Sequence, residues 1–561
     1  MQRPWLHSYP DGIPDSILDE LATYSSLNDM VQQACDTWPD NTAYVSFGAT
    51  LSYRELSRQS RAFAAWLQGR GIQPGDRVAL MMPNLLQYPV CLFGALAAGA
   101  TVVNVNPLFT STELNHQLRD SGARVVVVAE NFARTVQFGL DGTAVEHIVV
   151  TALGDMLGML RGSAVNFIAR HVRNQVPSWQ LADATDFPSA VRAGTAATFR
   201  PPAVTQDNLA FLQYTGGTTG RPKGVMLTHG NMLANLCQAG AWVRPWLQPG
   251  AERIITALPL YHIFALTANC LTFLRLGASN VLVVNPRDLP AFVRTLQRHP
   301  PTAITGVNTL FNALLNAPGI DRVDFSGLKV SLGGGMAVQS AVARRWKALT
   351  GCAIAQAYGL TETSPAVAIS PLDGRDFNGS VGLPVPSTDI AIRDNDGRDV
   401  PPGEPGEVCI YGPQVTQGYW NRDRGDERLF EPDGYLRSGD IGRLDDDGYL
   451  YLLDRKKDMI IVSGFNVYPN EVESVVAELP GVRDAAVIGV PDERSGEAVL
   501  LFVIRRDDAL TEETILNHCR EKLTRYKIPR RVIFCDDLPR SNVGKVLRKA
   551  LRQQYLSEHP N

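Results

Sequence analysis

The sequence predicts an α/β protein of more than one domain, and three observations carry that expectation. Its 561 residues are too many for a single hydrophobic core. Short β-branched or apolar runs at 78–82, 101–105, 125–128 and 148–150 alternate with helix-compatible stretches, the pattern of parallel strands covered on both faces. Beyond residue 389 the texture changes to short alternating strands at 390–392, 408–410 and 449–453, and a compact second α/β pattern follows from Pro469.

Composition narrows the class. A hydrophobic share of 45% and a charged share of 20% are ordinary for a globular chain, and a net charge of −4 implies no attraction to nucleic acid. The eight cysteines are scattered without a C-x-x-C pair, which argues against zinc ribbons and disulfide scaffolds and fits reduced thiols in a cytosol. The first twenty residues carry charges and prolines where a signal peptide needs an apolar core, so a cytoplasmic location is expected.

Taken in order, the stretch 51–71 spaces Leu56, Phe63 and Leu67 as a helix does, with Ser52 where a cap belongs. The segment 88–110 has no charged residue, yet its small residues, Asn104, Asn106 and Pro107 favour a buried helix running into a strand over a membrane span. Between 156 and 179, Leu157, Leu160, Phe167, Ile168 and Val172 interleave with Arg161, Arg170, His171 and Arg173. Such a basic amphipathic helix either packs on its own domain, the commoner case, or lies on a membrane surface.

Next comes the stretch with the strongest chemistry. The apolar run 209–212 leads into Tyr214-Thr215-Gly216-Gly217-Thr218-Thr219-Gly220-Arg221-Pro222-Lys223-Gly224. Glycines let backbone N–H groups approach an anion, and three hydroxyls and two cations add donors and charge, so the expected ligand is a polyphosphate. The alternative, a surface linker, explains neither the preceding strand nor the threonines. A Walker A loop is excluded, because Arg221 and Pro222 intervene and Gly224, not Ser or Thr, follows Lys223.

Further strands end in turns of the kind that hold ligands in open α/β sheets. One precedes His262, which alone would be a structural hydrogen-bonding residue; another is Gly333-Gly334-Gly335; a third, Tyr358-Gly359-Leu360-Thr361-Glu362, offers an aromatic face, a hydroxyl and a carboxylate able to hold Mg²⁺. The acidic tracts at 394–397 and 445–448 lack the distal glutamate of a calcium loop and read as hairpin turns. After the charged run 454–458, helices are expected from Pro469 to 479 and over 511–523, strands at 485–490, 499–504 and 532–534, and a basic helix ending near Tyr555. By default Lys545, in the turn before that helix, is one more exposed lysine.

Together these segments resemble the adenylate-forming (acyl-CoA synthetase, AMP-binding) superfamily, and within it the bacterial long-chain fatty-acyl-CoA synthetases. The likeness covers essentially the whole chain, and five motifs carry it in order: 215–224, 259–264, 358–362, Ser438-Gly439-Asp440 and 539–545. The resemblance implies a large N-terminal domain, residues 1–453, of layered α/β subdomains plus a distorted β-barrel, and a small mobile α+β lid, residues 454–561, hinged at Asp454. It implies ATP, Mg²⁺ and CoA as cofactor and co-substrates, and a fatty acid activated as acyl adenylate and then transferred to a thiol.

By the same resemblance Thr215, Gly216, Gly217, Thr218, Thr219, Gly220 and Lys223 belong to the phosphate site, Tyr358 stacks on the adenine, Gly335 and Gly359 are cofactor-binding, and the turn Gly333 to Gly335 also forms part of the acyl pocket's wall. Thr361 touches the α-phosphate, Glu362 binds the metal, and Asp440 and Arg455 hold the ribose. His262 orients the carboxylate or gates its entry. Lys545 bridges ATP and carboxylate, replacing the default reading, and Gly464 borders the CoA path after the lid rotates. Ile461 departs from the lysine that many members carry there. Two alternatives remain open, an acyl-AMP ligase loading a carrier protein and a catalytically silent fatty-acid-binding regulator. The latter has no need for Lys223, Glu362, Asp440, Arg455 and Lys545 together. Peripheral membrane association and a homodimer also stay open, whereas acyl chain length and pathway are not legible.

Overall fold

The structure, a computed structural model, describes residues 3–215, 222–374, 378–422, 429–492, 494–541 and 545–558. Two large sheets organise the first part of the chain. One has the spatial order Thr185–Asp186, His147–Thr151, Val125–Ala129, Arg77–Met81, Thr101–Asn104, Leu209–Thr215, Lys223–Thr228, parallel until the final antiparallel pair. The other is centred on the parallel strands Ser279–Leu282, Arg253–Thr256, Ala303–Gly306, Val330–Gly334 and Ile354–Gly359. Central strands such as Val125–Ala129 are buried along their whole length, because helices cover both faces and no position needs a polar side chain.

One apolar core joins the two sheets through the helices Tyr53–Gly69, Gln87–Ala97 and His229–Val243. Ser52 caps the first of these by accepting from Glu55 N. The uncharged stretch at 88–110 is the buried helix Gln87–Ala97 followed by the strand Thr101–Asn104, as its small and amide residues predict. Among the described residues no helix is long and apolar enough to cross a membrane.

The β-rich section corrects one expectation. It is an open antiparallel sheet, Asp389–Arg393, Gly406–Tyr411, Leu436–Leu444 and Leu450–Arg455, and the described residues form no closed barrel. Four strands are too few to close on themselves, and the sheet instead buries one face against Tyr358, Leu360 and Val367 of the large domain. The tract 445–448 is the turn of its last hairpin, closed by Asp445 N to Tyr449 O.

The C-terminal part has its own core, built on the long hairpin Val482–Asp492 and Gly496–Arg505, with Arg531–Phe534 parallel to its second strand. The helices Pro469–Val476 and Glu512–Lys522 cover one face and Arg548–Glu558 the other. All eight cysteines are unpaired, seven of them buried.

Candidate active site

A cavity of ≈ 630 Å³ lies where the large domain, the four-stranded sheet and the small domain meet. Its floor is made of strand ends. Thr215 and Lys223 face each other across the last antiparallel pair of the seven-stranded sheet and both line the cavity. Gly334 and Gly335 end the strand Val330–Gly334, and Tyr358 to Glu362 end the next one. Two glycines here are required by geometry. Gly335 has φ +77°, in the left-handed region. A Cβ on Gly359 would sit 1.9 Å from the Pro365 carbonyl oxygen, so the chain can double back only without a side chain.

The adenine-side residues form a buried polar chain. The Tyr358 hydroxyl donates to Asp440 Oδ2 at 2.7 Å, and Arg455 Nε pairs with Asp440 Oδ1 at 2.6 Å. The strand pair Leu436–Leu444 and Leu450–Arg455 sets Asp440 directly opposite Arg455. Burial and the neighbouring Asp440 carboxylate hold the Tyr358 phenol well above its usual range. Burial works against the Arg455 charge, and Asp440, Tyr358, Glu362 and Asp458 together more than offset it, so its pKa is raised. A carboxylate offers about four lone-pair directions, which leaves acceptor capacity at Asp440 after both contacts.

Lys545 reaches this cavity from the small domain and lines it. Its pKa is pushed down to about 8, first by burial and then by the Arg455 charge. With Lys223, Arg455, Lys456 and Lys457 it makes five cations on a wall whose described residues include one carboxylate, Glu362. The arrangement suits a polyanion.

The cavity also has an apolar lining: Ala239 of the helix His229–Val243, Leu258, Pro259, Ile263, Phe264, Val307, Leu332, Ala366 and Ile369, with His262 beside Ile263 in the same wall. His262 Nδ1 accepts from Phe264 N at 3.3 Å, and burial pushes its pKa down to about 4. It is therefore a neutral ring whose Nε2 carries the proton. A buried amide network fixes the segment before it: Asn84 Oδ1 accepts from Leu260 N, Gln213 Nε2 donates to Tyr261 O, and Asn104 Nδ2 donates to Gln213 Oε1.

Of the sequence-predicted residues, the structure thus brings together Thr215, Lys223, His262, Gly335, Tyr358, Gly359, Thr361, Glu362, Arg455 and Lys545 on one wall, with Asp440 directly behind Tyr358 and Arg455. Gly216, Gly217, Thr218, Thr219 and Gly220 lie outside the described residues. Gly464 is elsewhere: it turns the hairpin Ile460–Val462 and Phe465–Val467 with φ +85°, and it does not line the cavity. Phe465 beside it is 56% exposed and stacks on Tyr526. Trp242 is a packing residue, fully buried with Nε1 donating to Ser370 O. Sequence reasoning passed over the Asn84, Asn104 and Gln213 network, and also Tyr419, which lines the cavity and donates to Glu362.

Asp454 sits at the junction of the domains with its side chain fully buried. It accepts from Arg455 N and Asn470 N, both at 2.8 Å, and lies 3.4 Å from Arg548 Nη1. Burial raises its pKa to about 6, with Arg548 opposing the rise.

Comparison with known proteins agrees with this geometry. Residues 31–420 match the AMP-binding enzyme family and 471–545 match the AMP-binding enzyme C-terminal domain. A curated relative from Escherichia coli O6:H1, a long-chain-fatty-acid–CoA ligase, is 53% identical over 99% of this chain and 98% of its own. Among solved structures, ATP-bound MatB from Rhodopseudomonas palustris gives a TM-score of 0.81 and apo MatB 0.73. Both are 29% identical, and each comparison covers 94% of this chain and 99% of the other.

Proposed function

This chain belongs to the AMP-binding enzyme family, and we propose that it is an AMP-forming ligase that activates a long-chain fatty acid with ATP and passes the acyl group to CoA. The observation that carries the reading is one cavity lined by five cations, by a set of apolar side chains and by a neutral histidine. The acyl class comes from the relatives' names, and the apolar wall is compatible with it.

A carboxylate is a poor electrophile, being anionic and without a good leaving group. In the first step a carboxylate oxygen attacks the α-phosphorus and pyrophosphate leaves; in the second the CoA sulfur attacks the acyl carbon and AMP leaves. Both steps need positioned donors and cations. Thr215 and Lys223 hold the phosphates that depart, Thr361 faces the α-phosphate, and Gly335, Tyr358 and Gly359 frame the adenine. Asp440 and Arg455 take the ribose hydroxyls. His262, neutral at physiological pH, donates from Nε2 to the incoming carboxylate without neutralising it. Lys545 supplies positive charge between carboxylate and α-phosphate.

Mg²⁺ fits this donor set. It takes one or two protein carboxylates plus substrate phosphates and waters, and Glu362 is a carboxylate on the cavity wall. When bound, it would neutralise charge on the phosphates. CoA would approach along the exposed hairpin at Gly464 once the 454–561 unit has turned about Asp454, leaving residues 1–453 in place. The higher TM-score to ATP-bound than to apo MatB, together with Lys545 on the cavity wall, supports reading the present arrangement as the one that serves the first step.

Peripheral membrane contact belongs to the same proposal. On the helix Met159–Phe167, Met159 and Leu160 are 88% and 87% exposed, and Phe167, Ile168 and Val172 are exposed beside Arg173. Leu160→Glu should reduce co-sedimentation with anionic vesicles.

The test is AMP and thioester formation from ATP, Mg²⁺, CoA and a graded series of fatty acids. CoA-dependent AMP with long-chain acids is expected. AMP that appears only when a carrier protein replaces CoA, or no acid-dependent AMP at all, overturns the proposal.

A further inference from the structure

Tyr419 touches two oppositely charged groups of the cavity wall, Glu362 and Lys223. Its hydroxyl donates to Glu362 Oε1 at 2.7 Å, and Lys223 Nζ lies 5.2 Å from the centroid of its ring. The backbone around it is pinned to the same two segments. Met226 N donates to Gly418 O at 3.0 Å and Trp420 N to Gly224 O at 2.8 Å, so residues 418–420 run antiparallel to the strand that begins at Lys223. Thr416 N donates to Glu362 O at 2.8 Å, which holds the glutamate's main chain to the same segment.

Each contact has an electrostatic consequence. A hydroxyl donor on Oε1 fixes the rotation of the Glu362 carboxylate and leaves Oε2 with its acceptor capacity. The negative face of an aromatic ring draws the Lys223 ammonium to one place before any phosphate arrives. Donors and charges aimed beforehand cost no rearrangement during the reaction.

We infer that Tyr419 is a positioning residue that aims both groups, Glu362 toward a divalent cation through its hydroxyl and Lys223 toward phosphate through its ring. The inference rests on the proposed ATP chemistry, and its test reads nucleotide binding separately from turnover.

Tyr419→Phe removes only the hydroxyl; Tyr419→Leu removes the ring as well. In the full-length protein, the ATP-induced rise in melting temperature is followed against Mg²⁺ concentration, and KM for ATP and kcat are measured by pyrophosphate release. The Phe variant should need about tenfold more Mg²⁺ for a half-maximal rise, the loss expected for a hydrogen bond to a charged group, while its response to ATP without metal stays within about twofold. The Leu variant should weaken the metal-free response as well, by about threefold or more. KM for ATP should rise in both variants more than kcat falls. Wild-type Mg²⁺ dependence in the Phe variant, or equal loss of the metal-free response in both variants, overturns the inference. ATP binding by the wild type without any acid-dependent AMP would instead overturn the proposed function and leave the Tyr419 readout intact.

Discussion

The two domains contribute to the cavity in different ways. The large domain builds its wall from strand ends, where backbone pairing sets each side chain: Thr215 opposite Lys223, and Tyr358 locked to Asp440. The small domain brings Lys545, whose main-chain oxygen accepts from Ser541 N, and its Arg548 pairs with Glu473 of the same domain and with Asp454. A sheet edge cannot be rearranged without breaking its ladder, whereas a few polar contacts can be exchanged. In the proposed mechanism the wall is the preformed part of the nucleotide site and Lys545 is the group that the small domain delivers. Its delivery has a cost, because burial among cations holds the Lys545 pKa near about 8. A polyanion in the cavity offsets that cost, so ATP itself should favour the closed arrangement.

Three variants sharpen this contrast, beginning with the largest effect. Lys545→Ala should lower adenylation, followed as pyrophosphate release, by about 10²- to 10³-fold, the loss typical of one transition-state donor. Thioester formation from supplied acyl adenylate should stay within about twofold of wild type. Loss of both steps would mean that the lysine is not tied to one arrangement.

On the fixed side, Asp440→Asn keeps the shape and removes the charge that Arg455 and Tyr358 share. KM for ATP should rise about tenfold, and KM for the fatty acid should change little. An equal rise in both would show that the polar chain supports the whole cavity and not the nucleotide end.

The smallest effect is in pH dependence. Lys545 is charged below its pKa of about 8 and loses its proton above it. kcat/KM for adenylation, which reports the free enzyme, should hold to about pH 8 and fall tenfold per pH unit beyond it. Lys545→Arg should lack that limb. His262, pushed down to about 4, should add no limb between pH 6 and 8.

Much of the fixed wall was legible in the sequence because its chemistry is local. Strand, glycine turn and polar side chain follow one another within a few residues at Gly333 to Gly335 and at Tyr358 to Glu362, and the pattern gives both the local fold and the place at the cavity wall. The Ser52 cap and the buried helix before Asn104 are legible for the same reason. Lys545 is different: nothing within ten residues distinguishes it from a surface lysine, and only resemblance to a family gave it a task. Tyr419 and the Asn84, Asn104 and Gln213 network were not legible, since their partners lie 48 to 176 positions away and depend on how the two large sheets meet. The expected barrel failed on a count of strands, because a run of short alternating strands reads alike whether the sheet closes or stays open. The amphipathic stretch at 156–179, helical over 159–172, is half explained. Arg170 pairs with the buried Glu130, as a packing helix would, while Met159 and Leu160 face outward.

In the proposed mechanism one cavity serves two reactions because the small domain turns about Asp454. The most direct measurement compares the two half-reactions in Asp454→Pro, which blocks backbone rotation, with those in Asp454→Ala, which removes the same buried carboxylate and leaves the backbone free. The account predicts that the Pro variant loses thioester formation at least about tenfold more than adenylation, and that the Ala variant loses both alike. Equal loss of the two steps in the Pro variant would contradict it.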